Sequence, residues 1–281
     1  MKSIYSLFIS SAIALFAVQN LAVAQTVGTI GIGDIKYEVR NQQSARSSDS
    51  MISAINNDLN NALINTRKFE VLNYSQLTQR LSKQSLRLQD YYDKTYQGTE
   101  YSQAGLDYIL TATVTEIGSY RQSSGQSDNA VGSMAIDFKL IGVADVTEDF
   151  ESNVSVQSIV PISAGDNQAV DGVLDQTILK GVELLVDKVI VNLFPIRVMK
   201  ISEEGEITLN YGKGLLKVGD TILVFNKDED IALDKNGKAA GESVAKLQVS
   251  STQQKFSNAQ ALSGFDNLEL GQKGHLVLSD R

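Results

Sequence analysis

The chain has 281 residues, with two prolines, no cysteine, no tryptophan, and 25 basic against 33 acidic residues. A formal net charge of −8 disfavours binding to nucleic-acid phosphates, and no stripe of lysine or arginine opposes that average. Because cysteine is absent, no disulfide framework exists, and stability has to come from burial of apolar side chains. The length predicts one large domain or two ordinary ones.

The first 24 residues have the pattern of a secretory signal peptide. Lys2 supplies a positive charge, Ile4 to Val18 form a short apolar segment, and Ala22 to Ala24 match an A-x-A cleavage site. We therefore expect cleavage between Ala24 and Gln25. Removal of Lys2 leaves 24 basic and 33 acidic residues, a net charge of −9. No cysteine follows the cleavage site, so we expect no lipid anchor.

The mature chain is predicted to begin with a strand and a helix. Thr26 to Tyr37 reads as a strand made flexible by three glycines. A dinucleotide fingerprint would need a third glycine in its spacing where Lys36 stands, so we assign no nucleotide site. A helix then begins near Ser50, capped by Ser48 or Asp49. Its apolar face carries Ile52, Ile55, Leu59 and Leu63.

The next segment contains a short strand, a helix and a tyrosine-rich stretch. Phe69 to Leu72 is short and apolar enough to be a buried strand, and Ser75 is placed to cap a helix. The polar stretch that follows offers a candidate contact surface. The alternative is that its tyrosines cover the sheet edge with their hydroxyls in water. The tyrosines concerned are Tyr91, Tyr92, Tyr96 and Tyr101.

Three strands and a long helix are predicted to complete this part of the chain. Alternating residues over Tyr108 to Ile117, Ser133 to Val146 and Ser152 to Ile162 indicate an antiparallel meander with one apolar face. The helix after Asp171 has a broad apolar stripe, long enough to cover that face. Pro195 ends the helix and marks a domain boundary.

Beyond Pro195, short strands alternate with turns, which predicts a small closed barrel. His275 is the only histidine, so no metal site with two histidines can be built. A serine–histidine–acid triad would have to use His275. Asp228 to Asp230 with Asp234 to Gly237 has only part of a calcium-loop pattern, and a solvated hairpin loop is the alternative. We therefore expect no catalytic, cofactor-binding or metal-ligating residue, no cofactor, and no enzyme activity.

Two stretches resemble known families. Lys68 to Leu77, followed by Gly105 to Val114, resembles the CsgG-like family of curli-assembly proteins over roughly residues 27–194. Gly212 to Asp220, with Asn236 to Lys238, resembles the C-terminal domain of flagellar assembly protein T. The fold class expected is an α/β (α+β) domain over residues 25–194, a mixed sheet covered by helices, and a small all-β barrel over residues 195–281.

These resemblances imply a non-enzymatic structural or accessory part in an outer-membrane-associated curli, flagellar or secretion assembly. Such a protein would be periplasmic, associated with the outer membrane of a Gram-negative bacterium. Its partners would be envelope proteins, including further copies of itself in a homo-oligomeric ring, and contact with the membrane would be indirect. A pore-forming subunit of an outer-membrane secretion channel is the alternative, since Ser133 to Val146 is long enough for a spanning strand. A secreted hydrolase with an unrecognised site is the third hypothesis.

Overall fold

The computed structural model describes residues 28–39, 46–89, 98–123, 128–143, 150–163, 166–227, 232–233 and 239–277. A five-stranded mixed sheet forms the first part of the molecule. Its strands are β1 (Gly28–Tyr37), β2 (Phe69–Leu72), β3 (Tyr108–Ser123), β4 (Asp128–Gly142) and β5 (Phe150–Ile162), in the order β2-β1-β3-β4-β5. Strand β1 pairs in parallel with β2 and β3, whereas β3, β4 and β5 form the predicted antiparallel meander.

Helices cover both faces of this sheet. They are α1 (Ser48–Thr66), α2 (Tyr74–Ser82), α3 (Gly98–Gln103) and α4 (Asn167–Leu193). Neighbouring residues of a strand point to opposite faces, and on β3 Leu110 belongs to one buried cluster and Ile109 to another. The Leu110 cluster contains α1 and α4, whereas the Ile109 cluster contains α2. Helices α1 and α2 therefore lie on opposite faces of the sheet.

The C-terminal strands close into a six-stranded antiparallel barrel. Its strands are β6 (Ile196–Ile201), β7 (Glu206–Leu209), β8 (Thr221–Phe225), β11 (Ala245–Thr252), β12 (Ser257–Ser263) and β13 (Lys273–Leu276), and a hairpin of β9 (Ala232–Leu233) and β10 (Ala239–Ala240) is attached to it in sequence. Closure runs β11-β12-β7-β6-β13-β8, with β8 pairing back onto β11. The predicted mixed sheet with helices and the predicted small barrel are both confirmed.

The sheet and the barrel share one apolar core. Buried side chains run without interruption from α4 through Val191 and Ile196 into the barrel interior. The barrel strands do not pair with the five-stranded sheet anywhere in the described ranges. The division of the chain into domains at Pro195 stays a prediction.

Candidate functional site

A groove of about 560 Å³ lies where the helix layer meets the barrel. One wall is built from the second half of α1 and the middle of α4, and the other is the loop Tyr211 to Lys217. Carboxylates stand on the helical wall and ammonium groups on or near the loop. The charged residues that line the groove are Asp58, Glu183 and Asp187 on the helices, Lys68 just after α1, and Lys213 and Lys217 on the loop.

Helix α1 presents its polar flank to the groove because its core stripe is fixed. Met51, Ile55, Leu59 and Leu63 are buried at intervals of four residues, so Asp58 and Ala62 fall on one side of that stripe. The stripe begins at Met51 rather than at the predicted Ile52. The helix is capped by Ser47, whose side chain accepts a hydrogen bond from the Ser50 amide at 3.3 Å, rather than by Ser48 or Asp49.

The chain turns back beneath the groove at the end of α1. Arg67 adopts a left-handed conformation with φ of 55°, and its amide donates to the Ile64 carbonyl at 3.0 Å. The Thr66 hydroxyl donates to the Leu63 carbonyl at 2.6 Å and accepts from the Lys68 amide at 3.2 Å. These bonds carry Lys68 to the junction between the helices and the barrel.

Lys68 meets two aromatic rings at this junction. Its ammonium lies 5.3 Å from the centre of the Phe194 ring and 5.0 Å from that of Tyr211, within the range of cation–π attraction. The Tyr211 hydroxyl donates to the Phe194 carbonyl at 2.9 Å. Burial lowers the pKa of the Lys68 ammonium and raises the pKa of the Tyr211 phenol. The cluster Lys68, Phe194 and Tyr211 thus joins the end of α1, the end of α4 and the barrel.

Replacing Tyr211 by phenylalanine should lower the free energy of unfolding by about 1 kcal/mol at neutral pH, through loss of the bond to Phe194. The phenol is held protonated in the folded state, whereas in the unfolded chain it ionises near pH 10. Its stabilising effect is therefore complete below about pH 10 and is lost as the pH rises further. Urea unfolding at pH 8 to 11 should show a shallower alkaline decline for Tyr211→Phe than for the wild type.

Tyr120→Phe is the control, since Tyr120 is on β3, outside the cluster of Lys68, Phe194 and Tyr211, and its side chain is 39% exposed. Lys68 is present in all three proteins, and phenylalanine at position 211 keeps an aromatic ring beside its ammonium, so the titration of Lys68 should differ little between them. Identical alkaline slopes for the wild type and Tyr211→Phe would show that the Tyr211 phenol is not protected by folding.

Backbone hydrogen bonds fix the loop wall. The Lys213 amide donates to the Gln253 carbonyl at 2.6 Å, and the Leu216 amide donates to the Gly212 carbonyl at 3.1 Å. The Lys217 amide donates to an Asp220 carboxylate oxygen at 2.7 Å. Leu215 is buried, whereas Lys213 and Lys217 are exposed. The loop therefore holds two lysines toward solvent on an ordered backbone.

A further carboxylate of α4, Asp175, forms an ion pair beside the groove. Arg46 binds Asp175 through both guanidinium NH2 groups, with Nη2 2.9 Å from Oδ2 and Nη1 bonded to Oδ1. The hydrogen bond to Arg46 lowers the pKa of Asp175. Burial raises the pKa of Asp58, and the negative charge of Asp175 adds to that rise. The groove can therefore hold both signs of charge in a ligand, at separate places.

The sequence-predicted contact surface is only partly described. Tyr101 is fully buried, and its hydroxyl donates to the Arg87 carbonyl at 2.7 Å, so including it in a contact surface was wrong. It is buried because it packs with the apolar residues between α2 and β3. Tyr91, Tyr92 and Tyr96 lie outside the described residues, as do Ala24 and Gln25.

The other sequence candidates are His275 and two acidic stretches. His275 is buried on β13, opposite Leu223. Asp228 to Asp230 and Asp234 to Gly237 lie outside the described residues. Within the ranges that the structure describes, no three His, Asp or Glu side chains are grouped to hold a metal ion. In the same ranges, none of the helices combines the length and the apolar character that crossing a membrane requires.

Sequence reasoning did not identify the groove. It predicted the apolar face of α1, and short strands with turns beyond Pro195. Nothing in the pattern brings these segments together, since about 150 residues separate them in the chain. The one local signal was the pair Lys213 and Lys217 in a glycine-rich turn.

Comparison with known proteins gives weak structural matches and no family. No family model and no curated protein matches the chain. A lipoprotein, GNA1162, from Neisseria meningitidis is 15% identical with a TM-score of 0.33, over 54% of this chain and 96% of its own. A minor lipoprotein from Acinetobacter baumannii is 8% identical with a TM-score of 0.32, over 59% and 95%. The LpoB C-terminal domain from Salmonella enterica is 16% identical with a TM-score of 0.27, over 48% and 82%.

These values correct the family resemblance. No family model supports the CsgG-like family or the C-terminal domain of flagellar assembly protein T, and the similar structures named above are of other proteins. Both assignments were wrong. With TM-scores below 0.5 and identities below 25%, the similar structures assign no function to this chain.

The residues that carried the resemblance have local structural roles. Gly105 has a φ of 73°, and the Asp107 carboxylate accepts a hydrogen bond from the Thr29 amide at 2.7 Å. Gly219 has a φ of 94°, and the Asp220 carboxylate closes its turn. Glycine and aspartate at these positions stabilise turns. Any chain with the same backbone geometry needs such residues, so they indicate the local backbone shape and not a family.

Proposed function

We propose that this protein is a non-enzymatic exported protein of the cell envelope, a structural or accessory component that acts by protein–protein contact in the groove. The sequence pattern around Ala24 and Gln25 supports export to the periplasm. The observation that carries the contact role is that carboxylates of the helices and ammonium groups of the loop line the same open groove. We propose association with an outer-membrane-bound assembly as the setting.

The groove suits an extended segment of a partner protein. Its floor is partly apolar, with Ala62, Val186 and Ile190 among the lining residues. Leu179 lines it with its side chain 46% exposed, and Val218, beside the loop wall, is 66% exposed. Burying such apolar side chains favours association, while the two charged walls select a segment with cations facing Asp58 and anions facing Lys213. A polar rim around an apolar centre is the usual composition of a contact site.

In-cell photo-crosslinking tests this proposal. A benzophenone amino acid at Asn61, an exposed residue of the groove, should give an adduct with one envelope protein. Reversing both loop charges, with Lys213→Glu and Lys217→Glu, should lower the adduct yield about tenfold, since like charges would then face the partner's anions. An adduct of twice the chain's mass would identify the partner as a second copy, as a ring requires.

Lys246→Glu is the matched control, because Lys246 is an exposed lysine on β11 that does not line the groove. It should leave the yield unchanged. Absence of any adduct from Asn61, or equal losses with Lys246→Glu and the loop variant, would refute contact in the groove.

A further inference from the structure

A second pocket, of about 500 Å³, lies where β1 runs on past the end of β2. Strand β2 pairs only with Gly28 to Gly31, so from Ile32 onward that edge of β1 has no strand beside it in the described residues. Helix α1 leaves β1 on one face of the sheet, and α2 leaves β2 on the other face. In open α/β sheets, ligands bind outside the carboxyl ends of strands at the point where successive connections diverge in this way.

A β-bulge aims an acidic side chain at this pocket. Ile32 pairs with Leu110 and Ile35 with Ala112, so two residues of β1 stand opposite one residue of β3. Asp34 is one of these two, and a bulge turns its side chain away from the regular alternation. Asp34 lines the pocket beside Tyr74. Its negative charge, together with burial and a side-chain hydrogen bond, raises the pKa of the Tyr74 phenol.

Four asparagines supply most of the polar lining: Asn56, Asn57, Asn60 and Asn73. The Asn56 amide nitrogen donates to the Ile52 carbonyl at 3.1 Å, which leaves its oxygen as an acceptor. Asn73 caps α2, and its side-chain oxygen accepts from the Gln76 amide at 3.0 Å, which leaves its NH2 group as a donor. Asn57 is exposed and Asn60 half-buried on the same flank of α1.

We propose that this pocket binds a neutral saccharide. A side-chain amide is uncharged and offers both donors and acceptors, as a sugar hydroxyl does, so several amides can match adjacent hydroxyls. Asp34 adds an acceptor. Among the residues that the structure describes, no lysine or arginine lines the pocket, which disfavours phosphate and acidic sugars. The Tyr74 ring, 46% exposed, offers an apolar face for the C–H side of a sugar ring. The volume lies in the range of small-ligand sites, roughly 300–1,000 Å³.

Titration of the full mature chain with N,N′-diacetylchitobiose tests the proposal. Binding at millimolar concentration should shift the side-chain amide NMR signals of Asn57, Asn60 and Asn73, and the shifts should saturate. Maltose tests other neutral sugars. Inorganic phosphate tests whether the pocket binds an anion instead. An uncharged acetylated pentapeptide tests whether an extended chain pairs with the open edge of β1.

Variants separate the pocket from unspecific effects. Asn57→Ala combined with Asn60→Ala should weaken disaccharide binding at least tenfold, and Tyr74→Ala should do so through loss of the ring. Asn192→Ala, an exposed asparagine on α4 away from the pocket, should leave affinity unchanged. Each variant's circular dichroism spectrum and unfolding midpoint confirm that it is folded.

The proposal is overturned if neither sugar gives saturable shifts at these asparagines. It is also overturned if phosphate or the peptide shifts them and the sugars do not, or if Asn192→Ala weakens binding as much as the pocket variants do. None of these results bears on crosslinking in the groove, which lies on the other flank of α1.

Discussion

Leu185→Ala should lower the free energy of unfolding by about 2–5 kcal/mol, the range for truncating a fully buried leucine. Leu185 is completely buried on α4, the helix that packs on β4 and β5. The substitution loses the free energy gained by moving the leucine side chain out of water. It also leaves a cavity that the sheet beneath cannot close without moving. Urea unfolding followed by circular dichroism measures the loss.

Leu179→Ala on the same helix is the matched control. Its side chain is 46% exposed, so the same chemical change should cost less than about 0.5 kcal/mol. Equal losses for the two variants would mean that α4 does not bury the Leu185 face against the sheet.

Gly212→Ala should destabilise the barrel and its loop by about 3 kcal/mol, at the upper end for overpacking. A Cβ at Gly212 would lie 2.1 Å from the Gln253 carbonyl oxygen and 2.7 Å from the Phe256 nitrogen. Both are backbone atoms of the adjoining turn, so no side chain can rotate away to make room. The groove wall would shift as a result, and crosslinking from Asn61 should fall together with stability.

Gly214→Ala tests the same loop without the collision. Its φ is 110°, but an added Cβ would meet nothing within 4 Å, so only backbone strain of about 1–2 kcal/mol is expected. The Gly212 variant should unfold at a lower urea concentration than the Gly214 variant. The reverse order would show that the loop packs against the Gln253 turn less closely than the structure indicates.

Local patterns were enough to find most of the elements. The interval of four residues in α1 and the alternation in β4 each predicted a buried face that the structure contains. The predicted capping residues differ from the observed ones because several side chains near the start of a helix can accept a hydrogen bond from the same backbone amide. Asn73 rather than Ser75 caps α2, since the Gln76 side chain also accepts from the Asn73 amide and completes a reciprocal pair.

Strand ends were harder to predict than strand centres. Strand β3 continues past the predicted end at Ile117 to Ser123, and β4 already begins at Asp128, before the predicted start at Ser133. Pairing continues there between polar residues, as Gln122 with Asn129, and Arg121 binds Asp128 at 3.3 Å. Backbone pairing does not require apolar side chains, so hydropathy gives no signal for it.

By itself, the sequence predicted export, and it determined most helices and strands and the change from a helix-covered sheet to a barrel. These follow from periodicity and turn residues, which act over a few positions. Only the tertiary structure decided that Asp58 and Lys213 line one groove, and that Asp34 and four asparagines line another pocket. Both sites join residues that are distant in sequence, and their positions depend on the packing of α1 beside α4 and on where β2 ends.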